Sequence, residues 1–233
     1  NTFRDYTFAF ANELAKVSDA LGVSAVEVIN AANHNYPRCQ LPIPGPVGGP
    51  CLEKDPYILA SSLEGTGTSA DLALLGRKVN EQLPVWTIRA LLEKFSQKAG
   101  REAKTVAICG LAFKGRPETS DLRGSLAFSM VEHILDAIPG AVIRGWDPIS
   151  PEEETRSLGI NICNTFEEAC VGADVVLFQN NHVFFQGEHI EEEISKLSEN
   201  GLVFDYWGSR YNRFDSLPNN IEYLTLGSMN VKF

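Results

Sequence analysis

The sequence lacks an apolar run that approaches the roughly 18 residues needed to cross a membrane. Residues 1–16 contain no cationic segment followed by an apolar one, so they do not resemble a secretory signal. Basic residues number 20 against 30 acidic ones and are dispersed. Because nucleic acids are bound by clustered Lys and Arg, this distribution argues against a nucleic-acid partner. We predict a cytoplasmic protein with neither a nucleic-acid nor a membrane partner.

The chain also lacks an initiating Met, and it opens inside a segment with helical periodicity. From this we expect a fragment whose preceding residues are missing.

Cysteine is scarce, with five residues that show no CxxC and no Cys/His ligand spacing. This disfavours both a zinc site and a disulfide framework, and it fits a reducing cytoplasm. The four histidines are equally scattered, so we predict no metal. Cys109 and Cys163 lie in apolar, strand-like runs and are predicted to be inert core residues.

Two periodicities divide the chain. Up to about residue 98 the pattern is helical, and a capping box of Ser24 and Glu27 starts a second helix. A long helix is predicted over 70–99, with a bend at Pro84. From 104 onward β-rich runs alternate with helical stretches, which predicts a parallel, doubly wound sheet. The predicted strands cover 104–111, 141–147, 173–179 and 201–207, and the predicted helices between them cover 125–137, 151–158, 166–171 and 189–198.

The fold class is therefore predicted as α/β. A helical central or dimerisation domain over 1–98 is followed by a Rossmann-like domain with a doubly wound parallel sheet over 99–233.

The first predicted helix carries one apolar stripe. Its members recur at intervals of seven, four, three and four, and they are Phe3, Phe10, Leu14, Val17 and Leu21. The first interpretation is a face that packs into the chain's own core. The near-heptad spacing leaves a dimer seam as the alternative.

Within a Pro- and Gly-rich loop from 37 to 56, Cys51 follows Gly48 and Gly49. Glycines let a backbone approach a ligand closely and expose its N–H groups, and such surroundings lower the pKa of a thiol. Asp55 follows one helical turn later, so a helical segment there would let it position a water or take a proton. The alternative is a structural loop with a buried thiol.

The run GGPCLEKDPY at 48–57 resembles the active-site loop of the UDP-glucose/GDP-mannose dehydrogenase family. The runs GLAFKG at 110–115 and WDP at 146–148 also resemble motifs of this family. The opening NTFRD at 1–5 and the phrase DPYIL at 55–59 look like the branch that acts on UDP-N-acetylhexosamines. The motifs span essentially the whole chain in the family's order.

The resemblance implies two successive oxidations by NAD, which convert the sugar C6 alcohol to a uronate through a cysteine thioester. Cys51 matches the nucleophile, Asp55 the residue that positions or activates water, and Asn1 the asparagine at the reacting centre. The family's catalytic lysine lies four residues before Asn1, outside this chain. The dinucleotide-binding domain with its GxGxxG fingerprint is also absent, so the fragment alone is predicted to be inactive.

The resemblance makes the second half a UDP-binding domain. Phe113 and Lys114 match positions that contact the nucleotide sugar, and Gly48 and Gly49 are predicted to line the substrate. Arg123 matches a substrate-binding loop, with a helix start or a surface ion pair as the alternative.

Two further arginines are assigned through the resemblance. Arg38 resembles the arginine that reaches the neighbouring subunit's substrate site. Arg210 resembles the arginine of a strand-end Asp-Gly-Arg and is the predicted cofactor-binding residue. Gly110 alone is a weak dinucleotide signal, and we disfavour Asp147 as a ribose-binding acid.

The leading hypothesis is an NAD-dependent UDP-N-acetylhexosamine 6-dehydrogenase in polysaccharide precursor synthesis, dimeric through its central helices. The alternatives are a UDP-glucose 6-dehydrogenase, a non-catalytic UDP-sugar-binding and dimerisation module, and a free-standing NAD-binding protein. Binding of UDP but not NAD+ to the isolated chain would separate the last two.

Overall fold

The computed structural model describes residues 1–210 and 217–229. The helical region contains α1 (Thr2–Leu21), α2 (Ala25–Asn33), α3 (Asp55–Ser61) and α4 (Asp71–Ala99). Helix α1 ends at Gly22, which adopts the left-handed conformation (φ 69°) that glycine tolerates best. The Ser24 hydroxyl accepts a hydrogen bond from the N–H of Glu27 at 3.3 Å, which confirms the predicted cap. Helix α4 continues through Pro84.

Helix α1 exposes the apolar stripe instead of burying it. Phe3, Phe10 and Leu21 are 78%, 50% and 72% exposed. The buried face consists of small and polar residues, namely Asp5, Ala9, Ala11, Asn12, Ala15, Ser18 and Asp19. The interpretation of the stripe as core is therefore wrong. Small residues let α1 lie close against α4, where Asp5 and Asn12 find partners. Asp19 instead accepts the N–H groups of Gly227 and Met229.

The sheet region contains six parallel strands in the order β3-β2-β1-β4-β5-β6. This is the strand order of a doubly wound dinucleotide-type fold, whose ligand crevice lies where the order reverses, between β1 and β4. The prediction of a doubly wound parallel sheet is confirmed. The strands are β1 (Thr105–Cys109), β2 (Val142–Trp146), β3 (Asn161–Ile162), β4 (Val175–Phe178), β5 (Leu202–Asp205) and β6 (Glu222–Thr225).

Four shorter helices accompany the sheet: α5 (Ala127–Ala137), α6 (Glu152–Thr155), α7 (Phe166–Cys170) and α8 (His189–Ile194). Single 3-10 turns follow at Arg156–Leu158 and Val183–Gln186. Thr165 caps α7 by accepting the N–H of Glu168 at 3.1 Å. Helix α8 ends four residues before the predicted bound at 198.

Each face of the sheet has its own core, because successive strand residues point to opposite sides. Val106 and Ile108 of β1 pack with α4 and α5, and Ala107 and Cys109 pack with α7 and α8. The first cluster also takes in Ala15 and Ala25 of the helical region, so the two regions share one continuous core. Since α4 runs to Ala99 and packs with both the helical region and the sheet region, the domain division at 98/99 stays a prediction.

The described part of the chain contains no helix that is long and apolar enough to cross a membrane. Cys109 is buried and Cys163 is half-buried. Burial raises the pKa of both thiols, which keeps them protonated and unreactive.

Candidate active site

The cysteine loop (residues 45–54) lies against segments that follow strands at the carboxyl edge of the sheet. Gly45 faces the Trp207 ring so closely that a Cβ there would come within 2.8 Å of it. The Trp207 indole N–H donates to the carbonyl oxygen of Gln179, directly after β4, at 3.0 Å. Such an edge is where open α/β sheets bind ligands.

Gly48 and Gly49 press the loop onto the segment that follows β1. A Cβ on Gly48 would lie 2.1 Å from the carbonyl oxygen of Gly124, and one on Gly49 would lie 2.5 Å from the Phe113 ring. The Gly49 N–H donates to the Gly124 carbonyl oxygen at 2.8 Å. Both glycines therefore serve close contact with this segment, and the N–H of Gly49 already has a partner.

The structure brings Cys51, Asp55 and Asn1 into one place. The N–H of Asp55 donates to the carbonyl oxygen of Cys51 at 3.0 Å, so the expected helical turn does separate them. The Asn1 amide donates to Asp55 Oδ2 at 2.6 Å, across 54 positions of sequence. The Cys51 thiol is exposed, in contrast to Cys109 and Cys170.

Lys54 is a member of this site that sequence reasoning missed. Its ammonium group lies 2.8 Å from Asp55 Oδ1, so Asp55 receives a hydrogen bond on each oxygen. The hydrogen bonds from Lys54 and then Asn1 lower the pKa of Asp55, which is thus an ionised acceptor and a weak base. The same hydrogen bond raises the pKa of Lys54. This geometry suits an Asp55 that orients a water better than one that removes a proton.

The predicted substrate-binding residues fall into two groups. Phe113 and Lys114 lie beside the cysteine loop, with the Lys114 ammonium 5.2 Å from the centre of the Phe113 ring. Arg123 lies further along the same segment, exposed and paired with Asp121 at 2.7 Å, which is the geometry of the surface ion-pair alternative. Arg38 is exposed and stacks on the Tyr36 ring at 5.1 Å. Their substrate roles stay predictions.

Arg210 is buried and turned toward α8. Its guanidinium donates to the carbonyl oxygens of Gln186 and Gly187 and to the Glu191 carboxylate. These contacts lie within the sheet region, and the cofactor role of Arg210 stays a prediction.

The glycine turn after β1 does not fit a dinucleotide. Gly110 has φ 83°, but a Cβ there would meet the Asn180 side chain at 2.6 Å, so Asn180 lies close over the turn, where a dinucleotide-binding fold keeps the backbone open to its ligand. Asp147 accepts the N–H groups of Ala112, Ile149 and Ser150 at 2.7–3.0 Å. Both carboxylate oxygens of Asp147 are thus used to hold loops, which leaves a ribose-binding role unsupported.

A second residue that sequence reasoning missed is Arg77, which lies buried beneath the cysteine loop and is only 1% exposed. It donates to the carbonyl oxygens of Val47 and Leu52 at 3.3 and 3.2 Å and pairs with Asp5 at 2.8 Å. No sequence signal marks it, because a charged residue within a helix ordinarily faces solvent.

The fold and this site define a Rossmann-like nucleotide platform with an exposed cysteine presented on it by a helical region. Residues 1–82 match the UDP-glucose/GDP-mannose dehydrogenase family, central domain, and residues 107–210 match the UDP binding domain of the same family. The chain belongs to the UDP-glucose/GDP-mannose dehydrogenase family.

Curated relatives agree with this assignment. The chain is 32% identical over 208 residues to a UDP-N-acetyl-D-mannosamine dehydrogenase of Methanococcus aeolicus, covering 88% of this chain and 44% of the relative. It is 34% identical over 188 residues to an NDP-N-acetyl-D-galactosaminuronic acid dehydrogenase of Ralstonia nicotianae, covering 80% and 42%. The chain thus spans less than half the length of these relatives.

Solved structures show the same arrangement. A UDP-D-ManNAc dehydrogenase from Pyrococcus horikoshii superposes with a TM-score of 0.77 at 28% identity, over 99% of this chain and 50% of that one. A UDP-N-acetyl-mannosamine dehydrogenase from S. aureus gives 0.75 at 27% identity, over 99% and 50%.

Proposed function

We propose that the complete protein is an NAD-dependent nucleotide-sugar dehydrogenase that oxidises the C6 alcohol of a UDP-N-acetylhexosamine to the uronate. The observation that carries this is the assembly of Asn1, Asp55 and exposed Cys51 beside the Phe113–Lys114 platform. Family membership and the names of the relatives support the reaction class.

The chemistry of this chain's residues centres on the Cys51 sulfur. Its thiolate attacks the C6 aldehyde carbon; an S–C bond forms, the carbonyl electron pair moves to oxygen, and a proton completes the thiohemiacetal. Oxidation of that adduct leaves the sugar as a thioester, so the reactive aldehyde is never released. A water oriented by Asp55 and Asn1 then adds to the thioester, and the C–S bond breaks to give carboxylate and thiol.

NAD+ is the hydride acceptor that family membership implies for both oxidations. The Gly110 turn does not fit it. The cofactor belongs to the proposal for the complete protein.

The N-acetylated sugar is supported by two relatives named for UDP-N-acetylmannosamine and one for an N-acetylgalactosaminuronic acid. A UDP-glucose enzyme is the competing activity. A purely non-catalytic binding module is disfavoured, because it would need neither an exposed thiol nor an Asn1–Asp55 contact. In this proposal the Lys114 ammonium group, beside the Phe113 ring, binds the diphosphate charge of the nucleotide sugar.

The exposed stripe of α1 supports a homodimer through the central helices. Beside the stripe, a groove between α1 and α4 is lined by Val17, Ala20, Val85 and Trp86, among others. A second copy that covered these apolar groups would remove them from water. Arg38, exposed on the loop before the cysteine segment, would then be able to reach the partner's substrate.

The test uses the complete protein and its Cys51→Ser variant with NAD+ and UDP-N-acetylmannosamine or UDP-N-acetylglucosamine. We expect the wild type to yield two NADH per sugar, one for each proposed oxidation, and a trappable thioester seen by intact mass. The variant should lose net uronate formation. Undiminished uronate from the variant would show that Cys51 is structural, and activity with UDP-glucose alone would favour the competing substrate.

A further inference from the structure

A chain of buried polar contacts runs beneath the cysteine loop. Asp5 of α1 accepts hydrogen bonds from Arg77 and Asn80 of α4 on the same oxygen, both at 2.8 Å. The side-chain oxygen of Asn80, Oδ1, accepts a hydrogen bond from the side-chain amide of Asn12 at 2.9 Å. All four residues are nearly inaccessible to solvent. The Nε atom of Arg77 also lies 3.3 Å from Glu81 Oε1, but without hydrogen-bond geometry.

These buried side chains also form hydrogen bonds with the backbone of the cysteine loop. Asn12 binds both the N–H and the carbonyl oxygen of Gly45, at 2.8 and 3.1 Å. Arg77 binds the carbonyl oxygens of Val47 and Leu52. These two carbonyls flank the four residues 48–51, so the guanidinium bridges the two ends of the segment that presents the thiol.

The same network is joined to the other reacting groups. Asp5 lies one turn after Asn1, and its N–H donates to the Asn1 carbonyl oxygen at 2.9 Å. Asn1 in turn binds Asp55. A shift of α1 relative to the cysteine loop would therefore change the position of Asn1 relative to Cys51. The Asp5–Arg77 pair opposes such a shift, because Arg77 binds both α1 and the loop.

Stability alone does not account for a buried ion pair of this kind. Removing two charges from water is costly, and apolar replacements of similar shape are often as stable. Burial raises the pKa of Asp5 more than Arg77 and Asn80 lower it, which points to the same cost. The fork of the guanidinium, however, reaches one carboxylate and two carbonyls at fixed angles, which an apolar side chain cannot do.

We propose that Arg77 and Asp5, with Asn80 and Asn12, form a positioning clamp that fixes the Cys51 loop relative to Asn1 and Asp55. The clamp touches no substrate and acts through the loop backbone. Its role in turnover depends on the proposed dehydrogenase function, whereas its hold on the loop does not.

The decisive variant is Asp5→Asn combined with Arg77→Met. It removes both charges together and keeps an acceptor for Asn80, so no uncompensated buried charge remains. Arg77→Lys is the second variant, because it keeps the charge and loses the fork. The matched control is Arg101→Met with Asp174→Asn, which neutralises an arginine–aspartate pair at the opposite edge of the sheet.

The first measurement is hydrogen exchange of the amides at 45–53 in the 233-residue chain, together with thermal unfolding. We expect exchange in the double variant to be about tenfold faster or more while the chain stays folded. Arg77→Lys should give an intermediate rate, and the control should leave loop exchange unchanged. Unchanged loop exchange in the folded double variant would overturn the clamp.

The second measurement is steady-state kinetics of the complete protein. A misplaced thiol should lower kcat by as much as about 100-fold, with KM for the UDP-sugar nearly unchanged. A wild-type kcat in the double variant would refute the positioning role even if the loop exchanged faster. If the wild type itself showed no dehydrogenase turnover, the proposed function would fail, and the exchange experiment would still decide whether the clamp holds the loop.

Discussion

The two regions of this chain are built from different interiors. The sheet region buries aromatic rings, and Trp146, Phe166, Phe178, Phe184 and Phe185 pack with ring centres 4.6–6.4 Å apart. The contact between α1 and α4 instead buries alanines, asparagines and an ion pair, while Phe3 and Phe10 of α1 face outward. The sheet thus supplies stability through apolar burial, and the helical region supplies fixed geometry through directional polar contacts.

The aromatic core gives the largest expected effect. Phe178→Ala should lower the free energy of unfolding by about 3–5 kcal/mol, because a buried ring is replaced by a cavity. Urea unfolding monitored by circular dichroism measures this. Phe128→Ala, at a 40% exposed position on α5, is the control and should cost less than about 1 kcal/mol. Equal losses from the two variants would contradict this picture of the sheet core.

The charge pairs of the two regions should respond to pH in opposite senses. Burial raises the pKa of Asp174, but hydrogen bonds from Arg101, Ser198 and two backbone N–H groups outweigh it and hold that pKa at about 2. Because the folded pKa lies below the unfolded value of 3.8, Asp174 stabilises the fold above pH 4, and this contribution is lost as pH falls toward 2. The raised pKa of Asp5 gives stability at low pH that is lost as pH rises above the unfolded value.

Asp174→Asn should therefore cost about 2 kcal/mol at pH 7, and the difference from wild type should shrink as pH approaches 2. Unfolding free energies measured from pH 2 to 7 give the profile. A difference that stayed constant over this range would mean that Asp174 titrates with an ordinary pKa.

The exposed stripe gives the smallest expected effect on unfolding and a separate effect on assembly. Phe10→Ser with Val17→Ser should change the unfolding free energy of the monomer by no more than about 0.5 kcal/mol per site, since both side chains face outward. The same variant should shift the complete protein from dimer to monomer, as measured by sedimentation. A variant that unfolds readily while remaining dimeric would place the stripe in the core after all.

Much of the fold could be predicted from periodicity. Four of the six strands were predicted, because buried parallel strands form continuous apolar runs. The strands β3 and β6 were missed, since one has two residues and the other begins Glu222-Tyr223 at the edge. For α1 the periodicity located the apolar face correctly. Periodicity could not show that α4 packs against the opposite face of α1, which carries small and polar residues.

The site was predicted only where residues are close in sequence or matched a motif. The spacing from Cys51 to Asp55 required one helical turn, and the structure has it. The assignment of Asn1 and Asp55 to one reacting centre rested on the family resemblance alone, because 54 residues separate them. Arg77 could not be found, since pairing with Asp5 across 72 positions leaves no local signal.

Helix α4 has a practical consequence for engineering. Its first half holds the cysteine loop through Arg77 and binds α1 through Asn80, and its second half packs Leu91 and Phe95 into the core under the sheet. A chimaera joined at residue 100 would therefore keep the contacts of Arg77 but pair one parent's helix with the other parent's sheet. Grafts of this nucleotide platform onto another scaffold should take α4 with them, and a junction in the loop at 62–70 would in turn separate Arg77 from the cysteine loop of its own parent.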